Sequence, residues 1–364
     1  MIPCSDLIPS GKVRVLNYLP YFRNHSVETK VFNYQSPFIL RATRRARPKS
    51  GLGRLVFRMR KGILACLGMV YRRYVEVRLI VSARRYHAIF IQWQPIPRYA
   101  IWALIKRNPN LIFDLDDPVF LQWELNTKFL IARSKLVIAG SGYLRDYSRT
   151  WNHHVILIPS PVPLERFDPY QNTSLSHPNS PTIVGWIGSE STLSHIEILI
   201  DVFDVLRERY PLHVKVIGTG DAPCPISRKD NLEVTTIPYY DEEEMIRQVF
   251  SFNIGVVPLR QSEATRGKTG LKALIYMAAG IPVVCSPVGE NLEFVTDGVT
   301  GYCASTPEDW VEKLDRLVCD ASLRRRMGEE GLALVREKYA TEICFEFLYR
   351  ALCSTVLGDQ EASS

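Results

Sequence analysis

At 364 residues the chain is too long for one ordinary core and suits two domains of roughly 150–200 residues each. Its 46% apolar and 23% charged residues describe a folded, soluble-type protein and exclude a disordered or fibrous one. The net charge of +7 is moderate but unevenly spread, and no run reaches the ~20 apolar residues that a spanning helix needs.

The opening stretch, MIPCSDLIPSGKVRVLNYL, carries only broken apolar residues and no basic-then-apolar leader. An α/β domain normally begins with an apolar strand. The first strand is therefore short and irregular, or the chain starts downstream of it. Glu28–Tyr34 is the first strand candidate. From Arg41 to Arg85 basic residues crowd in (Arg44, Arg45, Arg47, Lys49, Arg54, Arg58, Arg60, Lys61, Arg72, Arg73, Arg78 and Arg84 among them) against the single acid Glu76. Such a tract suits an anionic partner, whether lipid headgroups, phosphates or nucleic acid, or it is simply a solvated helix face. The cysteines lack metal-ligand spacing, and several sit in apolar runs, which favours a reducing cytoplasm.

Strand candidates then follow at His87–Gln92, Leu111–Asp114, Leu136–Ala139 and Val155–Ile158, with helical patterns between them. The second ends in FDLDDP, which places Asp114, Asp116 and Asp117 together at a strand end. Like charges brought together raise at least one pKa, and such a carboxyl can accept a proton or bind sugar hydroxyls. A helix cap before Pro118 and a metal site are the other readings. The proline-rich stretch from Ile158 to Thr182 lacks periodicity and reads as a linker. The expected domains are 1–160, a linker 161–181, a second domain 182–340, and a C-terminal helix and tail 341–364, for which a return to the first domain is one option.

The second series has strands at Thr182–Ile187, His213–Ile217, Leu232–Thr236, Ile254–Val257 and Ile281–Cys285, with helical patterns over Thr192–Tyr210, Glu242–Phe250, Thr269–Ala279, Pro307–Cys319 and Leu323–Tyr339. Regular β-then-α alternation implies parallel sheets with helices on both faces, that is, two doubly wound domains facing a central cleft. Three loops after strands carry chemistry. In IVGWIGSEST the turn at Gly188 and Ser189 offers backbone N–H groups to a phosphate, with Thr192 or Ser191 capping the next helix. VIGTGD adds Gly218. In EATRGKTGLKALIYMAAGIPVVCS, Thr265 is a candidate cap, Gly267 allows a ligand to approach the backbone, and Lys268 stands near the helix start. Lys268, Lys272 and Tyr276 recur at i, i+4 and i+8, so they share a face away from the core. That face either solvates the helix or holds an anion. Gly289 and Asn291 invite a further turn beside Glu290 and Glu293.

The segment GKTGLKALIYMAAGIPVVCSPVGENLEFVTDGVTGYCASTPEDWVEKLDRL resembles the nucleotide-sugar-binding domain of retaining glycosyltransferases of family 4, which have the GT-B fold. GWIGS, VIGTGD, IGVVPL and RRRMGEEGLALVREKYA fall where that family has corresponding segments. The N-terminal half is similar more loosely, through LIFDLDDPVF and SKLVIAGSGYLRDYS. The resemblance implies a donor diphosphate held by Lys268 and Lys272, a phosphate-facing turn at Gly188 and Ser189, Glu290 and Asn291 near sugar and phosphate, and Glu293 near the nucleoside. Asp114, Asp116 and Asp117 are then sugar or acceptor contacts, with Asp117 a catalytic candidate. It further implies transfer of a hexosyl group from a nucleotide-diphosphate sugar to a glycan or lipid-linked acceptor, without metal or other cofactor, in the cytoplasm or peripherally on the inner face of the plasma membrane. The basic tract Arg41–Arg85 would meet anionic lipid, and nucleic acid is not an expected partner. One departure is clear: the family's two glutamates eight apart fall at Gly267 and Ile275 here. An inactive sugar-nucleotide-binding protein is therefore the alternative.

Overall fold

The structure, a computed structural model, describes residues 1, 9–43, 51–92, 96–171, 181–228 and 232–358. Arg44, Arg45, Arg47 and Lys49 of the basic tract lie outside the described residues, as does 172–180 of the expected linker. The chain divides into two compact units, Met1–Ser160 with Cys344–Ser364, and Pro161–Ile343.

In the first unit, helices α1 (Pro9–Arg14), α2 (Leu19–Asn24), α3 (Pro37–Thr43) and α4 (Gly51–Ser82) precede the sheet. Strands β1 (Ile89–Gln92), β2 (Leu111–Leu115), β3 (Leu136–Ala139) and β4 (Val155–Leu157) alternate with α5 (Arg98–Arg107), α6 (Phe120–Arg133) and α7 (Gly142–Arg149). All four strands are parallel, in the order β1-β2-β3-β4. The first three are buried along their whole length, which is why they read as continuous apolar runs rather than alternating ones. On one face Ile91, Phe113 and Val137 pack with Val75 and Leu79 of α4 and with Ile101 and Leu130. On the other, Phe90, Ile112 and Ile138 pack with Val15, Tyr18 and Phe22 and with Phe345 and Leu348 from the C-terminal helix Thr341–Leu357. The end of the chain thus covers a face of the first sheet.

Glu28–Tyr34 is not a strand. Val27 and Phe32 line, together with Ile89 and Phe90 of β1, a cavity of about 690 Å3. That gap accompanies the missing pairing, and the Phe32 N–H donates instead to the Met1 carbonyl at 3.0 Å. β1 is therefore the edge of the sheet.

An ion pair buried on both sides lies inside this unit. Arg14 and Asp114 are 2% and 1% exposed, and the Arg14 Nε donates to both carboxylate oxygens, at 3.2 and 3.0 Å. Its Nη2 also donates to Asp114, and its Nη1 to the Ile158 carbonyl at 2.7 Å. The pair ties α1 to the centre of β2 and to the residue after β4. Burial pushes the Asp114 carboxyl up while Arg14 pulls it down.

The second unit begins with β5 (Thr182–Ile187), a 3-10 turn over Glu190–Leu199 and α8 (Ile200–Arg207). It continues with β6 (Leu212–Ile217), β7 (Glu233–Ile237), α9 (Glu242–Val249) and β8 (Ile254–Val257). Helices α10 (Glu263–Arg266) and α11 (Leu271–Ala278) lead to β9 (Val283–Cys285), α12 (Asn291–Phe294), β10 (Gly301–Cys303), α13 (Pro307–Cys319) and α14 (Ala321–Leu334). This sheet is parallel throughout, in the order β10-β9-β8-β5-β6-β7. Strands run outward in both directions from β5 and β8, so the order reverses between those two. A doubly wound sheet binds its ligands beyond the carboxyl ends of the strands at such a point.

Removing one partner of the Arg14–Asp114 pair leaves a buried charge unanswered, so Asp114→Asn should lower stability by about 3–5 kcal/mol. An Arg14→Met, Asp114→Leu double variant should recover much of that loss. Equilibrium urea unfolding of both variants, compared with the parent chain, checks this.

Candidate functional site

At the reversal between β5 and β8 the two strands are held by a side chain from α11. Tyr276, fully buried, lies against Gly255, where a Cβ would stand 2.4 Å from the ring. Its hydroxyl accepts the Ile187 N–H at 2.8 Å and donates to the Val256 carbonyl at 3.5 Å. Burial drives its pKa well above the usual range. The expectation that Tyr276 shares an outward face with the lysines is corrected: α11 is buried nearly all round, and this tyrosine is part of the core.

The helix is also not continuous. Ser262, not Thr265, caps the first piece, its hydroxyl accepting the Thr265 N–H at 3.2 Å. That piece ends at Gly267. Gly270, at φ 65°, then starts α11 from the left-handed region that favours glycine. Lys268 accordingly sits in the loop between two helices, and Lys272 is the second residue of α11.

Separate elements nevertheless bring the two ammonium groups near each other. Lys272 is half-buried, with its Nζ 4.4 Å from the centre of the Trp186 ring and donating to Thr192 Oγ1 at 3.3 Å. Its pKa is pushed down to about 7, first by burial and then by the charge of Lys268. His195 responds to the same field: burial lowers its pKa, followed by Lys272, Arg260 and Lys268. Its Nδ1 accepts the Arg260 N–H at 3.2 Å. None of the influences on Lys272 comes from a carboxylate, whereas Arg260 is paired with Glu197 at 2.8 Å.

Glycines make this packing possible. A Cβ on Gly188 would stand 2.2 Å from the Trp186 ring and 2.9 Å from Lys272 Nζ. Gly218, at φ 92°, packs against the Gly188 carbonyl, which also accepts the Tyr240 hydroxyl at 2.9 Å. The two amides proposed for a phosphate are already engaged, however. Gly188 N–H donates to Ile217 O at 2.9 Å and Ser189 N–H to Thr192 Oγ1 at 3.2 Å. Ser189, rather than Thr192 or Ser191, is the cap of the following turn.

The third loop docks on the lysine loop. Gly289, at φ 61°, lies against the carbonyls of Thr265 and Lys268, and Glu290 N–H donates to Lys268 O at 3.3 Å. Glu290 is buried. Asn291 is 1% exposed; its Nδ2 donates to the Ser286 carbonyl at 3.1 Å and its Oδ1 has no hydrogen-bond partner. Glu293 is exposed on α12. The structure thus brings together Gly188, Thr192, Gly218, Lys268, Lys272, Gly289 and Glu290 with Trp186, His195 and Arg260, which the sequence patterns did not single out. Only Arg260 and His195 had a visible trace, as polar residues shortly after the ends of β8 and β5.

The aspartates belong to the first unit. Asp114 is taken up by Arg14. Asp116, also buried, accepts from Gln92 Nε2 at 3.1 Å, and its pKa rises to about 7 through burial and the charges of Asp117 and Asp114. Asp117 is half-buried.

Comparison with known proteins agrees with this geometry. Residues 181–320 match the family described as Glycosyl transferases group 1, a stretch that includes all six strands of the second sheet. The chain is 25% identical over 188 residues to the capsular polysaccharide biosynthesis glycosyltransferase CapM of Staphylococcus aureus, covering 50% of this chain and 48% of CapM. The chain spans about half the length or less of the curated relatives it matches. Among solved structures, a glycosyltransferase from Rickettsia africae superposes with a TM-score of 0.69 at 12% identity, covering 99% of this chain and 98% of that one. Anabaena HepE in complex with UDP and glucose gives 0.61 at 15% identity, covering 92% and 88%. Together with the two parallel sheets, these likenesses identify the fold as GT-B, built from two Rossmann-like halves.

Two outcomes are expected. The unfolded chain keeps a proton on Lys272 up to about 10.5, whereas the folded chain releases it at about 7. Stability should therefore rise with pH across that window, and Lys272→Met should flatten the slope in urea titrations. An anion such as pyrophosphate, if it binds beside Lys272 at pH 8, should draw in about one proton, because it favours the charged lysine. Calorimetry in buffers of different ionisation enthalpy measures that uptake, and Lys268→Ala should reduce it.

Proposed function

We propose that the protein is a glycosyltransferase that moves a hexosyl group from a nucleotide-diphosphate sugar to a glycan or lipid-linked acceptor, with retention of configuration. The observation that carries this reading is the pair Lys268 and Lys272. Lys272, whose basicity is depressed by burial and by the charge of Lys268, meets that second cation at the order reversal of a sheet whose sequence matches a glycosyltransferase family. Breaking a sugar–diphosphate bond leaves negative charge on the departing oxygens, and prepositioned ammonium groups stabilise that charge without a protein nucleophile. Lys272, whose pKa of about 7 leaves it partly neutral at neutral pH, becomes charged as the diphosphate arrives. Glu290 and Asn291 then contact sugar and phosphate, and Glu293 the nucleoside. Gly188, Ser189, Gly218, Gly267 and Gly289 shape the donor side.

Asp116 and Asp117 are proposed as contacts for sugar or acceptor hydroxyls, with Asp117 the catalytic candidate and Asp114 fixing their strand through Arg14. A carboxyl that titrates at about 7 suits hydrogen bonds of either sense. The reaction is proposed to need no metal. HepE, whose structure holds UDP and glucose, and CapM, named for capsular polysaccharide biosynthesis, support a uridine donor and a role in cell-envelope or polysaccharide synthesis. The place of action would be cytoplasmic, at the inner face of the plasma membrane. A second reading, an inactive sugar-nucleotide-binding protein, draws on one observation: Gly267 and Ile275 stand where the resembled family has its glutamate pair.

Loss of one charged donor to the leaving group costs about 2–4 kcal/mol of barrier. Lys268→Ala and Lys272→Ala should each lower turnover at least ~10-fold while thermal unfolding stays cooperative. Release of UDP or GDP from a panel of sugar conjugates, with envelope lipid extract as acceptor, measures this. The assignment fails if both variants transfer at the parent rate, whereas tight donor binding without turnover in the parent favours the inactive reading. Product anomer analysis by NMR tests retention, and unchanged turnover in chelator tests metal independence.

A further inference from the structure

Helix α4 is apolar on two sides. Leu64, Val75 and Leu79 enter the first unit. On the opposite side Ile63, Leu67, Val70, Tyr74, Val77 and Val81 are all 50–68% exposed. Their spacing alternates four and three residues, which aligns them in one seam along the helix. Outward faces of surface helices are ordinarily polar, so a seam of this length marks a contact with something apolar.

The borders of the seam carry positive charge. At 100° per residue Arg60 and Arg78 flank it on one side and Arg73 on the other. The acid of this helix, Glu76, is turned inward and 3% exposed, accepting from Tyr34 and Tyr99 hydroxyls at 2.6 Å and from Arg73 Nη1 at 2.6 Å. Among the described residues of α4, the outer side therefore presents cations and apolar groups without a carboxylate. Helix α5, which packs against α4, adds Tyr99 at 56% and Trp102 at 55% exposure. The Lys106 ammonium stands 3.6 Å from the centre of the Trp102 ring.

We propose that this face of α4, with Tyr99 and Trp102, docks on an anionic lipid bilayer with the helix axis along the membrane plane. No helix among the described residues is long and apolar enough to cross a membrane, and the inner face of α4 is already committed to its own core. A helix so divided lies in the interface, with its apolar side chains among the acyl chains and its arginines at the headgroups. A second copy fits less well. Pairing two such seams would set Arg60 and Arg78 of each chain near their counterparts, and the acid of α4, Glu76, is turned inward and already paired with Arg73. The inference rests on the glycosyltransferase reading for its purpose, bringing the enzyme to a lipid-linked acceptor, but binding itself is tested separately.

The full-length chain is floated with vesicles of phosphatidylcholine alone or mixed with phosphatidylglycerol. It should rise with the anionic vesicles at low salt and lose affinity as salt increases. Arg60→Gln with Arg78→Gln should weaken partition to anionic vesicles by roughly fivefold per charge. Val70→Glu with Val77→Glu should abolish flotation, and brominated lipid should quench tryptophan emission in the parent but not in this variant. UDP binding, measured by calorimetry, should be unchanged in both variants. Failure of the parent to float at low salt, or parent-like flotation of the Val70→Glu, Val77→Glu variant, overturns the proposal. A parent dimer in sedimentation that this variant disrupts, without flotation of the parent, would assign the seam to a second copy. Flotation without UDP binding would leave the surface standing and remove the enzymatic reading.

Discussion

Two ammonium groups that repel each other are held close by a fold that puts them on different elements. Lys268 stands in a loop whose carbonyls support Gly289 and Glu290, while Lys272 is carried by α11 over the face of Trp186. Much of the local architecture serves that proximity. Gly188 leaves room for the indole and the ammonium, Gly218 lets the next loop close over the Gly188 carbonyl, and Tyr276 joins β5 to β8 beneath them. The arrangement disfavours the charged form of Lys272, first through burial and then through the charge of Lys268. Its stability must come from the surrounding core, in which Leu274, Tyr276 and Met277 are fully buried.

The parallel strands were legible because a strand buried on both faces is a short, uninterrupted apolar run with no competing pattern. Leu136–Ala139 and Ile254–Val257 were found for that reason. β10, only Gly301–Cys303, has no run to find. Glu28–Tyr34 has strand-like composition but lies beside a cavity instead of a partner strand. A propensity describes one segment, whereas pairing requires two.

The candidate site was legible in its residues but not in its local geometry. The i, i+4, i+8 spacing of Lys268, Lys272 and Tyr276 assumed an unbroken helix, and Gly267 and Gly270 break it. The lysines meet anyway, through tertiary packing that no helical wheel contains. Arg14 and Asp114, 100 residues apart, were invisible as a pair for the same reason. The acidic strand end suggested chemistry, and one of its carboxylates proved to be an internal tie. On α4 the sequence showed the excess of arginine; the outward seam emerges only when Leu64, Val75 and Leu79 fix which side faces in.

The return of the C-terminal helix to the first sheet bears on how the protein is made. Phe345 and Leu348 complete, beside Val15, Tyr18 and Phe22, the cover over Phe90, Ile112 and Ile138, so one side of that sheet stays partly open until the residues after the second unit have left the ribosome. The second unit, continuous from Pro161 to Ile343, has every strand it needs before then. Domains in tandem ordinarily mature from the amino terminus onward. Here the order of completion is reversed, and the half synthesised first is the last to close.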